Sequence, residues 1–333
     1  MSVAVRTDAG PVIGVGHLMR CLALAEEITS RGIDVHLLGD AGGLEFAAQQ
    51  VASRGLTLHP ADDAAIDAQC AALGATHAII DGYQLPSHLG RTLRAAGVRV
   101  ATLVDGAFGT HQDADLYIDQ NLGAHADPAV GPMLAGIDYA IVNDRVRSRR
   151  GQARAAGEVP RVLVVFGGTD AYDGAPVLVD CLRATREACD IVVIAPKPET
   201  RASLHALAPV EGQSLQVLTG VADLPGLAVT CDLVVSAAGT SLWELMCLGL
   251  AVGAVCVVDN QLVGYDRVLE AEVVVPIGLL DPIRRPGPAR DRAIGLLREA
   301  VTDADLRARL AQRGSRLVDG DGRVRVIDAL LSL

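Results

Sequence analysis

Aromatic residues and lysine are both scarce in this chain of 333 residues. Phe, Trp and Tyr together make up only 3% of the sequence, so the hydrophobic cores must consist of Val, Leu, Ile and Ala, as is typical of parallel α/β sheets. Lys197 is the only lysine, and arginine carries almost all of the positive charge. The formal net charge is −11, which argues against a nucleic-acid or anionic-membrane partner because an acidic protein repels polyanions.

Paired cysteines and long apolar runs are absent as well. The seven cysteines include no C-x-x-C pair, and most lie in apolar helix or strand contexts, which predicts buried thiols in a reducing compartment. No run approaches the roughly 20 apolar residues that cross a bilayer. The N-terminus enters a strand at once, without the pattern of a signal peptide. We therefore expect a cytoplasmic protein without membrane insertion, and the sequence leaves its oligomeric state open.

Short β-branched runs alternate with Ala-rich helical stretches along the whole chain. Examples of such runs are Ile33–Leu38, Val98–Val104, Arg161–Phe166 and Ile191–Ile194. The alternation predicts parallel sheets with helices on both faces, and the chain is longer than a typical single domain. We expect an α/β protein of two Rossmann-like domains, residues 1–148 and 158–315, whose parallel sheets face each other across an inter-domain cleft. The basic, glycine-bearing residues 145–157 are the predicted linker.

A glycine turn between the first strand and the first helix is the most informative candidate site. Gly14 and Gly16 allow a sharp turn and a close approach to a ligand. Apolar residues spaced i, i+4 and i+7 from Leu18 then open an amphipathic helix. The N–H groups and the dipole of a helix N-terminus attract anions. His17 stands at this N-terminus, where a titratable base can face a bound substrate.

The same turn invites a second interpretation, as a dinucleotide-binding fingerprint. That fingerprint requires G-x-G-x-x-G, and Met19 stands where the third glycine should be. Asp40 supplies an acidic residue at about the distance that such a site needs. An NAD-dependent enzyme therefore stays as a weaker alternative, and so does an ordinary glycine turn with an incidental histidine.

The second half of the chain carries its own candidate anion site. Gly167, Gly168 and Thr169 end its first predicted strand, so their backbone N–H groups could face a ligand at the carboxyl edge of the sheet. An amide pair, Asn260 and Gln261, ends a later strand at the same edge. These residues predict a ligand-binding edge in the second domain.

A small-residue turn in the second half adds a possible diphosphate cradle. Ala238 and Gly239 follow a predicted strand and precede a predicted helix start. Thr240 or Ser241 can cap that helix, and its free N–H groups can hold a diphosphate. Glu244, about one turn further, could accept hydrogen bonds from ribose hydroxyls. Ordinary capping and a surface charge are the alternatives for these three side chains.

Acidic metal sites and cofactors are not expected. Asp113 and Asp115 match the metal-binding D-x-D pattern only superficially, because no other ligand candidates accompany them in a poorly patterned loop. We therefore predict a reaction that needs neither a metal ion nor a cofactor.

Taken together, the motifs resemble one family, the UDP-sugar hydrolases of pseudaminic acid biosynthesis and their spore-coat-polysaccharide relatives. This family lies within the GT-B glycosyltransferase superfamily. The matching pieces follow the family order across nearly the whole chain. They are Arg6-Thr7-Asp8, Ile13-Gly14-Val15-Gly16-His17, Arg20-Cys21, Ile80-Asp81-Gly82-Tyr83, Asp119-Gln120-Asn121-Leu122-Gly123-Ala124, Phe166-Gly167-Gly168-Thr169-Asp170, Ala238-Gly239-Thr240-Ser241-Leu242-Trp243-Glu244, Asn260-Gln261 and Val318-Asp319-Gly320-Asp321-Gly322.

The resemblance implies a GT-B fold with UDP held mainly by the C-terminal domain. It implies that His17 activates water, that Tyr83 and Asn260 act beside the reacting sugar and the diphosphate, and that Glu244 binds the ribose. The resemblance also implies that Asp8, Arg20 and Gln261 bind the substrate. The other expected substrate-binding residues are those of the glycine and hydroxyl motifs and the ribose ligand: Gly14, Gly16, Gly167, Gly168, Thr169, Ala238, Gly239, Thr240, Ser241 and Glu244. It further implies that a C-terminal helix within residues 316–333 returns to the N-terminal domain, which is an analogy at the level of the fold.

Two departures from the family pattern concern the sugar and acceptor side. Asp105-Gly106 stands where many relatives have paired acids, and the segment Leu262–Asp266 is not typical of the family. The sequence therefore leaves open a substrate other than the best-known one of this family. The expected activity is metal-independent hydrolysis of a UDP-activated amino or deoxy sugar, with inversion. An inverting glycosyltransferase and a non-catalytic nucleotide-sugar-binding protein are the alternatives.

Overall fold

The computed structural model describes residues 1–106, 108–153 and 157–333. These residues form two compact units, which we call unit 1 (Met1–Asp144 with Gly320–Leu333) and unit 2 (Arg145–Asp319). The predicted linker 145–157 begins inside a short helix, α5 (Asp144–Arg147), and its residues 154–156 lie outside the described part of the chain.

Unit 1 contains a seven-stranded sheet in which all strand pairs are parallel. Its strands are β1 (Ser2–Thr7), β2 (Asp34–Leu38), β3 (Leu58–His59), β4 (Ala75–Asp81), β5 (Arg99–Leu103), β6 (Leu116–Asp119) and β7 (Met133–Ala135). Its first four helices are α1 (Gly16–Ser30), α2 (Glu45–Ala52), α3 (Ile66–Ala72) and α4 (Leu89–Ala95), and a 3₁₀ turn spans Ile137–Tyr139. The strand order is β3-β2-β1-β4-β5-β6-β7, so the direction of winding reverses between β1 and β4.

Unit 2 contains a six-stranded sheet, again with only parallel pairs. Its strands are β8 (Arg161–Val165), β9 (Cys189–Ile194), β10 (Gln213–Leu218), β11 (Leu233–Ala237), β12 (Ala251–Cys256) and β13 (Val275–Leu279). Its helices are α6 (Gly174–Thr185), α7 (Pro198–His205), α8 (Leu224–Ala228), α9 (Ser241–Cys247), α10 (Leu262–Glu270), α11 (Leu280–Ile283), α12 (Pro288–Thr302) and α13 (Ala304–Leu317), with a 3₁₀ turn at Asp259–Gln261. The strand order β10-β9-β8-β11-β12-β13 reverses between β8 and β11.

Helices cover both faces of the sheet in unit 1. Val3 and Val5 of β1 pack into one core with α1, whereas Ala4 packs into a second core with α3 and α4. Alternate residues of a strand point to opposite faces, so a strand buried on both faces reads as a continuous apolar run. Leu18, which opens the predicted apolar face of α1, is fully buried.

The last helix of the chain, α14 (Gly322–Leu331), belongs to unit 1. Its Val326 and Ile327 are fully buried in the core that contains α1. Arg323 is only 2% exposed and pairs with Glu26 at 3.0 Å. Burial of each such aliphatic side chain contributes about 1.5–3 kcal/mol, which fixes this terminal segment on the first unit.

The strands predicted from long apolar runs are present, whereas β3, β6, β7 and the five-residue β13 were not predicted. Strands β3, β6 and β7 have two to four residues, too few for a periodic pattern to be recognised. All seven cysteines are buried, as predicted. Within the described residues, no helix combines the length and apolar character needed to cross a membrane.

Candidate active site

The candidate residues of unit 1 lie where its strand order reverses. Ligands of open parallel sheets bind outside the carboxyl ends of the strands at such a reversal. Thr7, the last residue of β1, is in register with Asp81, the last residue of β4. The turn that follows β1 leads directly into α1, so His17 and Arg20 of the first helical turns stand beside the end of β4.

His17 is held by Asp81. Its Nδ1 lies 2.7 Å from Asp81 Oδ1, and the His17 side chain is 10% exposed while that of Asp81 is fully buried. An ionised carboxylate only accepts hydrogen bonds, so Nδ1 carries the proton in this pair. In the neutral imidazole, Nε2 is then the basic nitrogen, and no hydrogen bond among the described residues occupies it.

Arg20 keeps Asp81 ionised. The guanidinium donates to both carboxylate oxygens of Asp81, from Nε and Nη2, each at 2.6 Å. Burial by itself raises the pKa of Asp81, but the charge and hydrogen bonds of Arg20, with a smaller contribution from His17, hold it well below its ordinary value. Burial likewise lowers the pKa of Arg20, yet Asp81 and Asp105 raise it well above the usual range. The predicted substrate residue Arg20 is therefore occupied by two carboxylates.

Tyr83 contacts His17 and shares the Asp105 carboxylate with Arg20. The Tyr83 hydroxyl donates to Asp105 Oδ2 at 2.6 Å, and Arg20 Nη1 donates to the same oxygen at 3.0 Å. The Tyr83 and His17 rings meet edge to face at 4.4 Å. Burial and the neighbouring Asp105 raise the pKa of Tyr83 far above its ordinary value, so this hydroxyl stays protonated and acts as a donor.

An amide links Asp105 to the end of β6. Asn121 Nδ2 donates to Asp105 Oδ1 and to Asp119 Oδ1, both at 2.9 Å. Asp119 Oδ2 accepts the backbone N–H of Gly106 at 3.2 Å. Burial raises the pKa of Asp119 above its ordinary value, although these hydrogen bonds counteract the effect. The network thus joins the ends of three strands, β4, β5 and β6, and holds the loops that surround His17.

The glycines at the start of α1, Gly14 and Gly16, leave open space in the turn that leads to His17. Gly14 has φ +76°, which only glycine adopts without strain, and it exchanges backbone hydrogen bonds with Gly10 at 2.8 and 3.0 Å. A Cβ on Gly16 would meet no atom within 4 Å, so packing does not require glycine there. Val15 makes no side-chain cap at the start of α1, which leaves the first N–H groups of the helix available to an anion.

Asp8, a predicted substrate-binding residue, is engaged within the fold. Its Oδ1 accepts from Arg6 Nη1 at 2.6 Å and from the Asp40 backbone N–H at 2.9 Å. No hydrogen bond joins Asp8 to His17 or Arg20 among the described residues. The structure therefore brings His17, Arg20 and Tyr83 into one network, and Asp8 into another on the far side of β1.

The loop after β8 has the shape of an anion-binding turn. Gly167 has φ +66° and Asp170 has φ +43°, and no described hydrogen bond uses the N–H groups of Gly167, Gly168 or Thr169. Asp170 instead holds the next helix, since its carboxylate accepts the N–H of Gly174 at 2.8 Å. Burial raises the pKa of Asp170, and its backbone hydrogen bonds oppose this.

The turn after β11 lies beside the amide pair that follows β12. A Cβ on Gly239 would stand 3.6 Å from Gln261 Nε2, and Gln261 Oε1 accepts the Val257 N–H at 3.1 Å. Ala238 donates its N–H to Val255 O at 2.8 Å, which extends the β11–β12 pairing by one bond. Asn260 is exposed, in the 3₁₀ turn before Gln261.

The predicted side-chain cap of α9 is wrong. Thr240 occupies the N-cap position, but its side chain makes no capping hydrogen bond, and Ser241 is already the first helical residue. Thr240 has helical φ and ψ angles, so its hydroxyl is not in the geometry in which an N-cap side chain reaches the following N–H groups. Glu244 lies in the first turn of α9 and is partly exposed.

The two aspartates of the D-x-D pattern stabilise the fold through contacts with α4 and β5. Asp113 and Asp115 both form ion pairs with Arg94, and Asp115 also accepts the Val100 N–H at 2.9 Å. In the described ranges, no group of three or more His, Cys, Asp or Glu side chains has the arrangement of a metal site.

Sequence reasoning missed three members of the network around His17. Asp81, Asp105 and Asn121 were assigned no role, although each follows the end of a different predicted strand or occurs within a quoted motif. Because the carboxyl ends of parallel strands meet at one edge of a sheet, the polar residue after each apolar run was the available signal.

Comparisons with known proteins establish the fold. No protein-family model matches the chain, and no curated protein does. Among solved structures, MurG of Acinetobacter baumannii is similar over 100% of both chains, with a TM-score of 0.71 and 15% identity. A UDP-GlcNAc 2-epimerase from Neisseria meningitidis, bound to UDP-GlcNAc, aligns over 100% of both chains with a TM-score of 0.67 and 10% identity.

A third similar structure is the glycotransferase of kitacinnamycin, with a TM-score of 0.64, 15% identity and coverage of 99% of this chain and 98% of the other. The chain has a GT-B fold. Its two parallel sheets with flanking helices are those of this fold.

Proposed function

We propose that the protein hydrolyses a UDP-activated amino or deoxy sugar. Water attacks the anomeric carbon, the bond from that carbon to the diphosphate oxygen breaks, and UDP leaves with the bonding electron pair. The sugar is released with inverted configuration. The resemblance of the ordered motifs to UDP-sugar hydrolases supports this proposal, and so does the GT-B fold, which the protein shares with structures that contain UDP or UDP-GlcNAc.

The pairing of His17 with Asp81 carries the proposal. Because Asp81 fixes the proton on Nδ1, Nε2 is left to accept a proton from the attacking water. A positioned base of this kind contributes about a hundredfold or more to the rate. Asp81 acts as a positioning residue: it sets the tautomer and stabilises the imidazolium that forms when Nε2 is protonated.

Tyr83 lies beside the base without competing for the proton. Its hydroxyl donates to Asp105, while its ring contacts His17 edge to face. Its residue exposure of 38% leaves part of the ring available to a substrate. We assign Tyr83 to the pocket of the reacting sugar, where an aromatic surface can pack against the apolar face of a ring.

Unit 2 is assigned to UDP. The N–H groups of Gly167, Gly168 and Thr169, together with those of the Gly239–Ser241 turn, use no described acceptor. Backbone donors that are fixed before the ligand arrives stabilise the charge that accumulates on a leaving diphosphate. We assign Asn260 and Gln261 to the diphosphate side and Glu244 to the ribose hydroxyls.

An inverting glycosyltransferase is the second candidate, and one observation favours it. Phe108 is 50% exposed and packs against Tyr83 at 4.8 Å between ring centroids. Two adjacent exposed aromatic rings beside His17 are unexpected in a chain with so few aromatic residues. They could hold the ring of an acceptor whose hydroxyl, instead of water, gives its proton to His17.

One experiment separates the two candidates. A panel of UDP-sugars, including UDP-GlcNAc and UDP-glucose, is incubated with the protein in the absence of any acceptor, and UDP release is followed by chromatography. Hydrolysis predicts stoichiometric release of UDP and free sugar, whose initial anomer is inverted in proton NMR spectra. Release that occurs only after an alcohol acceptor is added would instead assign the protein to the glycosyltransferases.

A further inference from the structure

One cavity of unit 1 is lined by none of the predicted catalytic and substrate-binding residues except Asp8. Its volume is about 970 Å³, within the range of small-molecule sites. It is lined by the carboxyl ends of β1, β2 and β3 and by α2. The cavity lies on the β2 side of β1, and none of His17, Arg20 and Tyr83 lines it.

Backbone atoms pack closely at the end of β1. A Cβ on Gly39, which lines the cavity, would stand 1.7 Å from Thr7 O, and one on the nearby Gly42 would stand 2.6 Å from Ala9 O. Neither position can carry a side chain without displacing the loop after β1. The walls carry small residues, among them Ala48 and Ala52 of α2 and Ala61, so the space is not filled by the protein itself.

The lining combines apolar and acidic groups. Val51, Leu56 and Pro60 supply an apolar wall, suited to the C–H face of a ring. Asp8 and Asp40 supply carboxylates. This combination of an apolar wall with a few polar groups at one end is typical of sites for small polar molecules.

The one cation of the lining is already neutralised. Arg6 donates from Nε and Nη2 to Asp63 at 2.7 and 2.9 Å, and from Nη1 to Asp8 at 2.6 Å. Its side chain is only 9% exposed. These two carboxylates raise the pKa of Arg6 although burial opposes the shift, and hydrogen bonding to Arg6 lowers the pKa of Asp63. Arg6 is therefore not free to bind an anion.

Carboxylate oxygens remain available to a donor. The described hydrogen bonds of Asp40 use Oδ1, which accepts the Gly42 N–H at 2.9 Å, and those of Asp8 also use Oδ1. The Oδ2 atoms of both residues accept none among the described residues. Arg6 pairs with Asp8 and Asp63, and the Asp40 carboxylate has no cationic partner among the described residues, so the lining and its surroundings carry more negative than positive charge.

We propose that this cavity binds a small polyhydroxylated amine, a ring compound whose protonated amino group pairs with Asp40 and Asp8. Its hydroxyls and ammonium supply the donors that these carboxylates lack, and the C–H face of its ring lies on the apolar wall. An anionic sugar is excluded by repulsion from the same carboxylates. The inference goes beyond the proposed function, because it concerns a separate cavity and holds whether or not UDP-sugars are hydrolysed.

A charge series tests the ligand class. Binding of glucosamine, glucose and glucuronate, three similar rings with positive, neutral and negative charge, is measured by ligand-observed NMR at a pH where the amine is protonated. We expect affinity to fall in that order, with glucosamine at least tenfold tighter than glucuronate. Equal binding of the three rings, tighter binding of glucuronate, or no detectable binding of glucosamine would overturn the proposal.

Two matched pairs of variants test whether the ligand binds in this cavity. Asp40→Asn should weaken glucosamine binding by about three- to tenfold, since a charge-assisted hydrogen bond becomes a neutral one at a partly exposed site. Asp34→Asn makes the same change at the other end of β2 and should have no effect. Ala48→Trp fills the cavity and should abolish binding, whereas Ala68→Trp, at an exposed position of α3, should not.

Folding of each variant is checked by its Tm and by its UDP affinity. Both should match those of the wild type, because Asp40 and Ala48 are exposed and belong to no part of the proposed nucleotide site. Folded Asp40→Asn and Ala48→Trp proteins that bind glucosamine as tightly as their controls would overturn the assignment of this cavity.

Discussion

Unit 1 and unit 2 place their candidate residues at equivalent positions of their sheets but use different groups. In unit 1, the end of β4 presents a network of charged and polar side chains, in which His17, Arg20 and Tyr83 are tied to Asp81 and Asp105. In unit 2, the corresponding reversal presents glycines and unused backbone N–H groups.

This difference fits two separate roles, proton transfer in unit 1 and diphosphate binding in unit 2. Side chains that titrate are needed where a proton moves, and their tautomer must be fixed by partners. Backbone donors suffice where a diphosphate is held, because their partial charge does not depend on pH. A change in unit 1 should therefore reduce turnover, and a change in unit 2 should reduce nucleotide affinity.

The largest effect is expected from His17→Ala. Turnover of a UDP-sugar should fall by about a hundredfold or more because the base is lost, whereas UDP affinity should stay nearly unchanged. Steady-state kinetics and calorimetric titration of UDP measure the two quantities on one variant. His205→Ala, at an exposed position of α7, is the control. Near-normal kcat in folded His17→Ala protein would remove His17 from the mechanism.

The next effect concerns the stability of unit 1. Ionised Asp81 is held by Arg20, and removal of one partner from a buried ion pair costs about 3 kcal/mol, so Asp81→Asn should lower the Tm at neutral pH. The pKa of folded Asp81 lies below its ordinary value of 3.8. Its contribution is therefore complete above about pH 4 and is lost as the pH falls through that value towards the folded pKa.

The difference in Tm between wild type and Asp81→Asn should consequently be largest at neutral pH and should shrink on acidification. Thermal denaturation at a series of pH values measures it, with Asp34→Asn, an exposed aspartate, as the control. A difference that stays constant down to strongly acidic pH would show that the charge of Asp81 does not stabilise the fold.

A smaller effect, on UDP affinity and not on stability, is expected from Gly239→Ala in unit 2. Its new Cβ would make an ordinary contact with Gln261 at 3.6 Å, so the fold should accept it, but the methyl group would occupy space proposed for the diphosphate. UDP affinity should fall by about tenfold, which is 1.4 kcal/mol, without a change in Tm. Gly220→Ala, where a Cβ meets open space, should leave affinity intact. Unaltered UDP binding by Gly239→Ala would place the nucleotide elsewhere.

The smallest effect is expected from chelation. If backbone donors hold the diphosphate of UDP, calorimetric titration with and without EDTA should give the same affinity within about twofold. A collapse of affinity in EDTA would mean that a divalent ion, and not these N–H groups alone, neutralises the diphosphate.

The sequence by itself determined the fold class. Continuous apolar runs are what a parallel strand buried on both faces requires, so β1, β4, β8 and β11 could be predicted without coordinates. The motif around Gly239 was also visible, because glycine and small residues mark a close backbone approach within a few consecutive positions.

Only the tertiary structure decided which side chains meet. Asp81, Asp105 and Asn121 are separated from His17 by 64 or more positions, and no local pattern records that their strand ends share one edge. The same applies to Asp8, a predicted substrate-binding residue, whose Oδ1 also accepts the backbone N–H of Asp40, 32 positions away. Hydrogen bonding partners depend on strand order and register, and those are set by the packing of whole sheets and not by neighbours in the chain.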